Sequence, residues 1–305
     1  MSPLPPGAWR LVLKRAAHDR LVVAAAFLTI LLAATLLASG PVYAEAVALS
    51  GLRRTLDDAP VREVTIAVQG RLPAADYRAA DARVTGTLEG VFGPDGVAIH
   101  RSGLSDSYAL PAIEGVPEDA LAVFGYYDDL PAHAELVAGA WPAGPLEGGD
   151  VQTALPEPAA EALRLAPGSV IELPSVQDED DVITARVAGL YRVDDVDDPF
   201  WWGSPLETDG REELRFTTFG PLVVSEEAFS ALGAEGADAR WRASPATRAI
   251  AVEDLDRLRA EVDGLEERVN AGGAGLSVRT GLAAVLTAAD RSLLVSRSGV
   301  LVSSI

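Results

Sequence analysis

The chain has 305 residues, 49% of them hydrophobic, with 45 acidic against 25 basic side chains, a formal charge of −20 and no cysteine. That composition is globular, not disordered. The acidic balance makes nucleic acid and anionic lipid poor partners for the folded part, and without cysteine the fold must be held by packing alone.

In chain order, Leu21 to Ala44 comes first: a run without one charged side chain, rich in Ala, Leu and Val. At about 1.5 Å per residue it reaches about 36 Å, enough for a hydrocarbon core of roughly 30 Å with some tilt, so it predicts a transmembrane helix. Arg10, Lys14, Arg15 and Arg20, against a single Asp19, place residues 1–20 in the cytoplasm and everything after Ala44 outside it. A cleaved signal peptide is the competing reading, since Val42-Tyr43-Ala44 has small residues where signal peptidase prefers them; such a peptide's apolar region runs only about 7 to 15 residues. Trp9 to Leu13 reads either as an amphipathic approach to the membrane interface or as an ordinary cytoplasmic tail.

Gly40-Pro41 predicts a break, and Glu45 to Asp58 a helical stalk ending at Pro60. Val64, Ile66 and Val68 alternate with polar neighbours, the period of a half-buried strand. Ala74 to Phe92 predicts a helix with Tyr77, Val84, Leu88 and Val91 on one side, followed by a strand over Gly96 to Arg101. From Leu121 to Leu190 short strands alternate with Pro/Gly turns: Leu121 to Tyr127, Val151 to Leu155, Ser169 to Leu173 and Val182 to Arg192, with a helix over Glu157 to Leu165. Further strands are expected at Pro221 to Ser225, Asp238 to Arg242 and Leu276 to Arg279. Val252 to Val269 repeats apolar residues at three and four and predicts a single helix, stopped by Gly272, Gly273 and Gly275.

The expected fold is therefore α+β: one transmembrane helix (21–44) and an extracytoplasmic domain (45–280) of two lobes. Lobe one is a discontinuous β-α-β lobe made of 61–125 and 218–280, and lobe two is a β-rich insertion, 126–217. Residues 281–305 begin amphipathic, with Leu282, Val285, Leu286, Ala289 and Leu293 on one helical face, and read as the approach to a second transmembrane helix.

Enzyme chemistry finds little support. The sequence has no GxSxG elbow and no HExxH helix, and its one lysine, Lys14, lacks the glycine pattern of a phosphate-binding loop. His18, His100 and His133 are far apart in sequence, and His18 precedes the membrane helix; surface or packing roles suit His100 and His133 better than catalysis. The acidic runs Asp178 to Asp181 and Asp194 to Asp198 invite calcium, but neither has the glycine and distal glutamate of an EF-hand loop, so they read as solvated turns. Pro199-Phe200-Trp201-Trp202, directly after the second run, reads as an aromatic cluster packed on its own lobe, with a partner or lipid contact as the alternative. No catalytic, cofactor-binding or metal-ligating residue is nominated.

Four stretches carry a family resemblance: WRLVLKRAAHDR with its helix and GPVYAEAVALSGLRRTL; LVAGAWP at Leu136 to Pro142; VQTALPEPAAEALRLAPGSVIEL; and VAGLYRVDDVDDPFWW. Together they resemble the FtsX-like, or MacB-like, permease subunits of ABC transporters. The sequence departs from that pattern at Arg164, where Gly is usual, at Ser169, where Asp is usual, and at Ala140, where Arg commonly precedes Trp-Pro. The resemblance implies a two-lobed extracytoplasmic domain between the first two membrane helices, an ABC-type ATPase partner reached through later cytoplasmic segments, and a second permease half. On that reading the chain is a fragment of a permease, transmits ATP-driven motion and is not an enzyme. Complete as written, it would instead be a single-pass membrane-anchored binding or regulatory domain.

Overall fold

The computed structural model describes residues 20–148, 150–178, 180–232 and 235–291, without the side chains of 20–23, 36–48 and 249. The expectations for Trp9 to Leu13, for the cytoplasmic segment before Arg20 and for the chain after 291 lie outside the described residues. The chain divides into two compact units, one of Met1–Leu52 with Ser292–Ile305, the other Arg53–Arg291.

In the first unit, a helix runs Arg20–Asp57, its last turn belonging to the second unit. It is continuous through Gly40-Pro41, where a break is expected from sequence. A proline inside a helix forgoes one backbone bond and crowds one carbonyl, a local cost that a long helix can absorb without ending. Phe27, Leu28, Ile30, Leu31 and Leu32 are each more than half exposed, a broad apolar surface on this part of the helix. Among the described residues no helix is long and apolar enough to cross a membrane.

The second unit is built on strands β1 (Ile66–Leu72), β2 (Val97–Ala109), β3 (Leu121–Tyr127), β4 (Ala134–Gly139), β5 (Asp150–Pro156), β6 (Val170–Pro174), β7 (Val182–Val193), β8 (Arg211–Glu213), β9 (Thr217–Val223), β10 (Ala237–Pro245) and β11 (Ser277–Arg279). They form one mixed sheet in the order β11-β1-β10-β2-β3-β9-β5-β7-β4, with β6 beside β7 and β8 beside β9. At one end β10 lies antiparallel between β1 and β2, and β1 antiparallel between β10 and β11. The Ala74–Phe92 helix joins β1 to β2, and helices Leu255–Asp263 and Leu265–Val269 join β10 to β11. These are two interleaved split β-α-β units. The strands expected near 64–68 and at Asp238 to Arg242 lie in this one sheet as direct neighbours: Ile66 to Leu72 faces Ala243 to Ala237.

The sequence pattern misplaces some boundaries here. Pro60 presets the backbone for a short helical turn, Val61–Val64, so β1 begins at Ile66. Ile66, Ala67 and Val68 are all buried, because both faces of this strand are covered, so the half-buried alternation does not hold. The Ala74–Phe92 helix buries Ala80, Val84, Leu88 and Val91, with Tyr77 half-buried. The expected Val252 to Val269 helix is interrupted: a 3-10 turn at Val252–Asp254 precedes it and Gly264 divides it, although Leu255, Leu258, Val262, Leu265 and Val269 still face the core. Glycine's poor helix propensity favours a break at that position.

The other end of the sheet has its own core, where Phe124, Leu155, Leu173, Ala185, Val187 and Phe219 are nearly inaccessible. In β7 the buried side chains Ile183, Ala185, Val187 and Tyr191 recur every second residue, as a strand with one face on a core requires. Sequence patterning gives no sign of β4. There Gly139 has φ 76°, and a Cβ would come 2.0 Å from the Ala188 carbonyl oxygen, so only glycine lets β4 and β7 approach this closely. The helix after β5 ends at Leu163, and Arg164 takes the left-handed conformation, φ 55°, that ordinarily favours glycine. Ser169 steadies the next turn by accepting a hydrogen bond on Oγ from the Ala166 backbone N–H, 3.0 Å.

Candidate functional site

The β-α-β sheet has one face under its helices and one face free of them. Strand alternation decides which side chains go where. Trp241 points toward the helices, stacking on Tyr77 at 5.6 Å and donating from Nε1 to Asp81 at 2.8 Å. Arg101 joins it there, its Nε bonded to the same Asp81 oxygen at 2.6 Å. Burial acts to lower the Arg101 pKa, but the Asp81 hydrogen bond and the charges of Asp81 and Asp128 outweigh it and hold the guanidinium above its ordinary value.

One residue away along each strand, Arg242, Ala67, Arg279 and His100 share the opposite face, because Ala67 is registered with both Arg242 and Arg279, and Arg242 with His100. The segment 194–213 covers this face. Its acidic start supplies Asp198, whose Oδ1 accepts from the Phe200 N–H at 2.8 Å and whose Oδ2 meets His133 Nδ1, also at 2.8 Å. Phe200 and Trp201 are 1% and 0% exposed. Phe200 stacks on His133 at 4.0 Å and meets His100 edge-on at 5.1 Å; the two imidazoles are themselves 5.1 Å apart. Burial lowers the His100 pKa below its ordinary 6.5, with Asp128 opposing.

An ion pair fastens the segment to the sheet. Glu207, 0% exposed, sits in the short Pro205–Thr208 helix and receives a bidentate fork from Arg242: Nη1 to Oε2 at 2.6 Å and Nη2 to Oε1 at 2.7 Å. Arg240 adds a bond from Nη1 to Oε1 at 3.1 Å, and Arg242 also donates to the Phe200 carbonyl. Burial works against the Arg242 charge; the Glu207 carboxylate outweighs it and raises the pKa. Arg62 completes the junction by donating to the carbonyls of Trp202 (3.0 Å) and Gly203 and by lying over the Trp202 ring at 5.3 Å.

These contacts make a docking junction, in which the 194–213 segment is held on the sheet by Glu207, Phe200 and Trp201. Among the described residues no group of three or more His, Asp or Glu is arranged to hold a metal ion. The two acidic runs behave differently. Asp178 forms a local turn, accepting from the Asp180 N–H at 3.1 Å. Asp195 does the same for Asp197 at 2.9 Å, but three residues later the chain turns inward. The sequence pointed to the aromatic cluster and to its packing on the chain itself. The approach of His100 and His133 is a product of the fold, and so is the choice of Glu207 among 45 acidic residues as the partner of Arg242. One local sign existed: Arg240-Trp241-Arg242 alternates charge and aromatic in a strand, which marks a covered face on both sides.

No family model and no curated relative matches the chain. Among solved structures, the fold is similar to the periplasmic region of MacB from Actinobacillus actinomycetemcomitans, with 11% identity and a TM-score of 0.34 over 72% of this chain and 89% of that one. It is also similar to a domain of a provisionally assigned permease protein from Porphyromonas gingivalis, with 11% identity and a TM-score of 0.29 over 73% of this chain and 90% of that one. These are distant likenesses.

Proposed function

We propose that the chain is the extracytoplasmic part, with its leading membrane helix, of a permease subunit in an ABC transporter complex, and that it relays ATP-driven motion across the membrane. One observation carries this reading: the chain enters and leaves the Arg53–Arg291 unit at one place. Leu56, at the end of the entering helix, and Leu282, at the start of the departing helix 282–291, line the same cavity of about 220 Å³ with Ile250 and Pro199. A domain inserted between two membrane helices needs entry and exit side by side, and that is the topology the sequence resemblance implies. The exposed apolar side chains Phe27 to Leu32 and the basic residues before them support residues 21–44 as the anchor, residues 1–20 as cytoplasmic and the sheet domain as extracytoplasmic. Lobes 61–125 with 218–280 and 126–217 are then the moving parts. An ABC-type ATPase and a second permease half are the partners.

The absence of native cysteine makes a clean test possible. Spin labels at Asp178→Cys and Glu253→Cys, both exposed sites, report the distance between the lobes in the complex isolated with its ATPase. That distance should change on ATP binding. An identical distribution with and without nucleotide overturns the relay.

A further inference from the structure

Beneath the docked segment, the face of the sheet opposite helix Ala74–Phe92 borders a partly open pocket of about 260 Å³, where one water needs only about 15 Å³. We propose that it is a binding site for a compact dianion of the phosphate class. Arg62, Arg240, Arg242 and Arg279 line it; the carboxylates at hand are Glu212 on its wall and Glu207 behind Arg242 and Arg240. Four cations against two anions leave a surplus of two positive charges inside a protein of net charge −20.

Sheet register gives the site its shape. Arg279 and Arg242 stand on strands either side of β1, both opposite Ala67. Adjacent strands are about 4.8 Å apart, so the two arginine backbones are about 10 Å apart, and the small Ala67 side chain leaves the space between them open. On the next rung the uncharged Gln69 faces Arg240. Like charges lined up across a sheet are destabilising unless something offsets them. Glu207 offsets Arg242 and Arg240. Arg62 bonds only carbonyl oxygens with its guanidinium, and among the described residues the Arg279 side chain makes neither a hydrogen bond nor an ion pair. Arg279 therefore presents a complete guanidinium fork, whose spacing suits two oxygens of one oxyanion. The site is independent of the relay role: it would serve a membrane-anchored binding domain equally well.

The test is calorimetric titration of the full chain in neutral detergent with inorganic phosphate, glycerol 3-phosphate and succinate. The expected result is one saturable site for phosphate, weakened at least ~10-fold in Arg279→Gln and less in Arg279→Lys, which keeps the charge and loses the fork. Arg62→Gln, on a separate segment, should weaken it as well, and circular dichroism confirms that each variant is folded. Comparable binding of both phosphates identifies a free phosphate ligand, whereas ~10-fold preference for glycerol 3-phosphate identifies a phospholipid headgroup; either supports the site. Succinate binding as tightly as phosphate overturns the assigned class. No saturable heat with either phosphate up to about 10 mM, or unchanged affinity in Arg279→Gln and Arg62→Gln, overturns the site itself.

Discussion

The two acidic runs of this chain begin alike and end differently. Asp178 to Asp181 closes a tip between β6 and β7, held by a Ser175 N–H to Asp181 carbonyl bond of 2.8 Å and by the Asp178 side chain, with Val176 55% exposed beside it. Asp194 to Asp198 makes the same kind of turn and then drives Phe200 and Trp201 into full burial. Charge therefore does not decide whether such a run docks. The decision belongs to the aromatic residues that follow and to what the fold sets opposite them: Tyr127, whose ring lies 6.1 Å from Phe200 and 6.2 Å from Trp201, and the waiting Arg242. Tyr127 belongs to this environment so fully that burial, helped by nearby Glu207, pushes its hydroxyl pKa well above 10.0.

The comparison is broken most forcefully by removing the anchor. Trp201→Ala should destabilise the domain by about 3–5 kcal/mol, the usual cost of truncating a buried aromatic, as read from urea unfolding. Should the loss be under about 1 kcal/mol, the segment is held by charge after all. Removing the acid that connects turn and anchor comes next. Asp198→Ala deletes the acceptor for both the Phe200 N–H and His133, and about 1–2 kcal/mol should be lost.

Acidity provides a milder probe of the same junction. The folded pKa of His100 is depressed below 6.5, so below about pH 6.5 the unfolded chain binds a proton that the folded chain resists. Stability from this group is present above that pH and declines as pH falls toward the folded value. Asp128, Asp129, Asp198 and His133 all act on the ring, and the Asp128 pKa is itself raised by burial, so its contribution near pH 4 has the opposite sign. The melting temperature should fall between pH 7.5 and 5.5, and His100→Gln should flatten that slope; a slope unchanged by the substitution assigns it to another group. The smallest effect belongs to the first run, where Asp178→Ala should change stability by no more than about 0.5 kcal/mol. A loss comparable to that of Asp198→Ala would mean that the two runs are not different in kind.

Much of this protein follows from local pattern. The Ala74–Phe92 helix and the β3 strand fall where pattern predicts them, since the helix buries Ala80, Val84, Leu88 and Val91 at helical spacing and β3 is an apolar run of strand length. Strands β5, β6 and β7 and the helix after β5 are legible to within a residue or two for the same reason. Arg164 takes the left-handed turn at the steric cost of a side chain there, about 1–2 kcal/mol, which is why glycine is the usual choice.

What pattern could not supply is whatever depends on residues distant in the chain. Gly264 carries no local signal that distinguishes a break from a tolerated helical glycine, since Gly86 and Gly90 lie inside an unbroken helix. Arg242 and Glu207 are 35 residues apart, and neither has a neighbour that announces a buried pair. Ala67 reads as a filler in an apolar strand until β10 and β11 place an arginine on each side of it. Hydrophobic periodicity is a property of a segment, so sequence determines which side of a helix is apolar. Hydrogen bonds and ion pairs need two partners at about 3 Å, and only the folded chain decides which two meet.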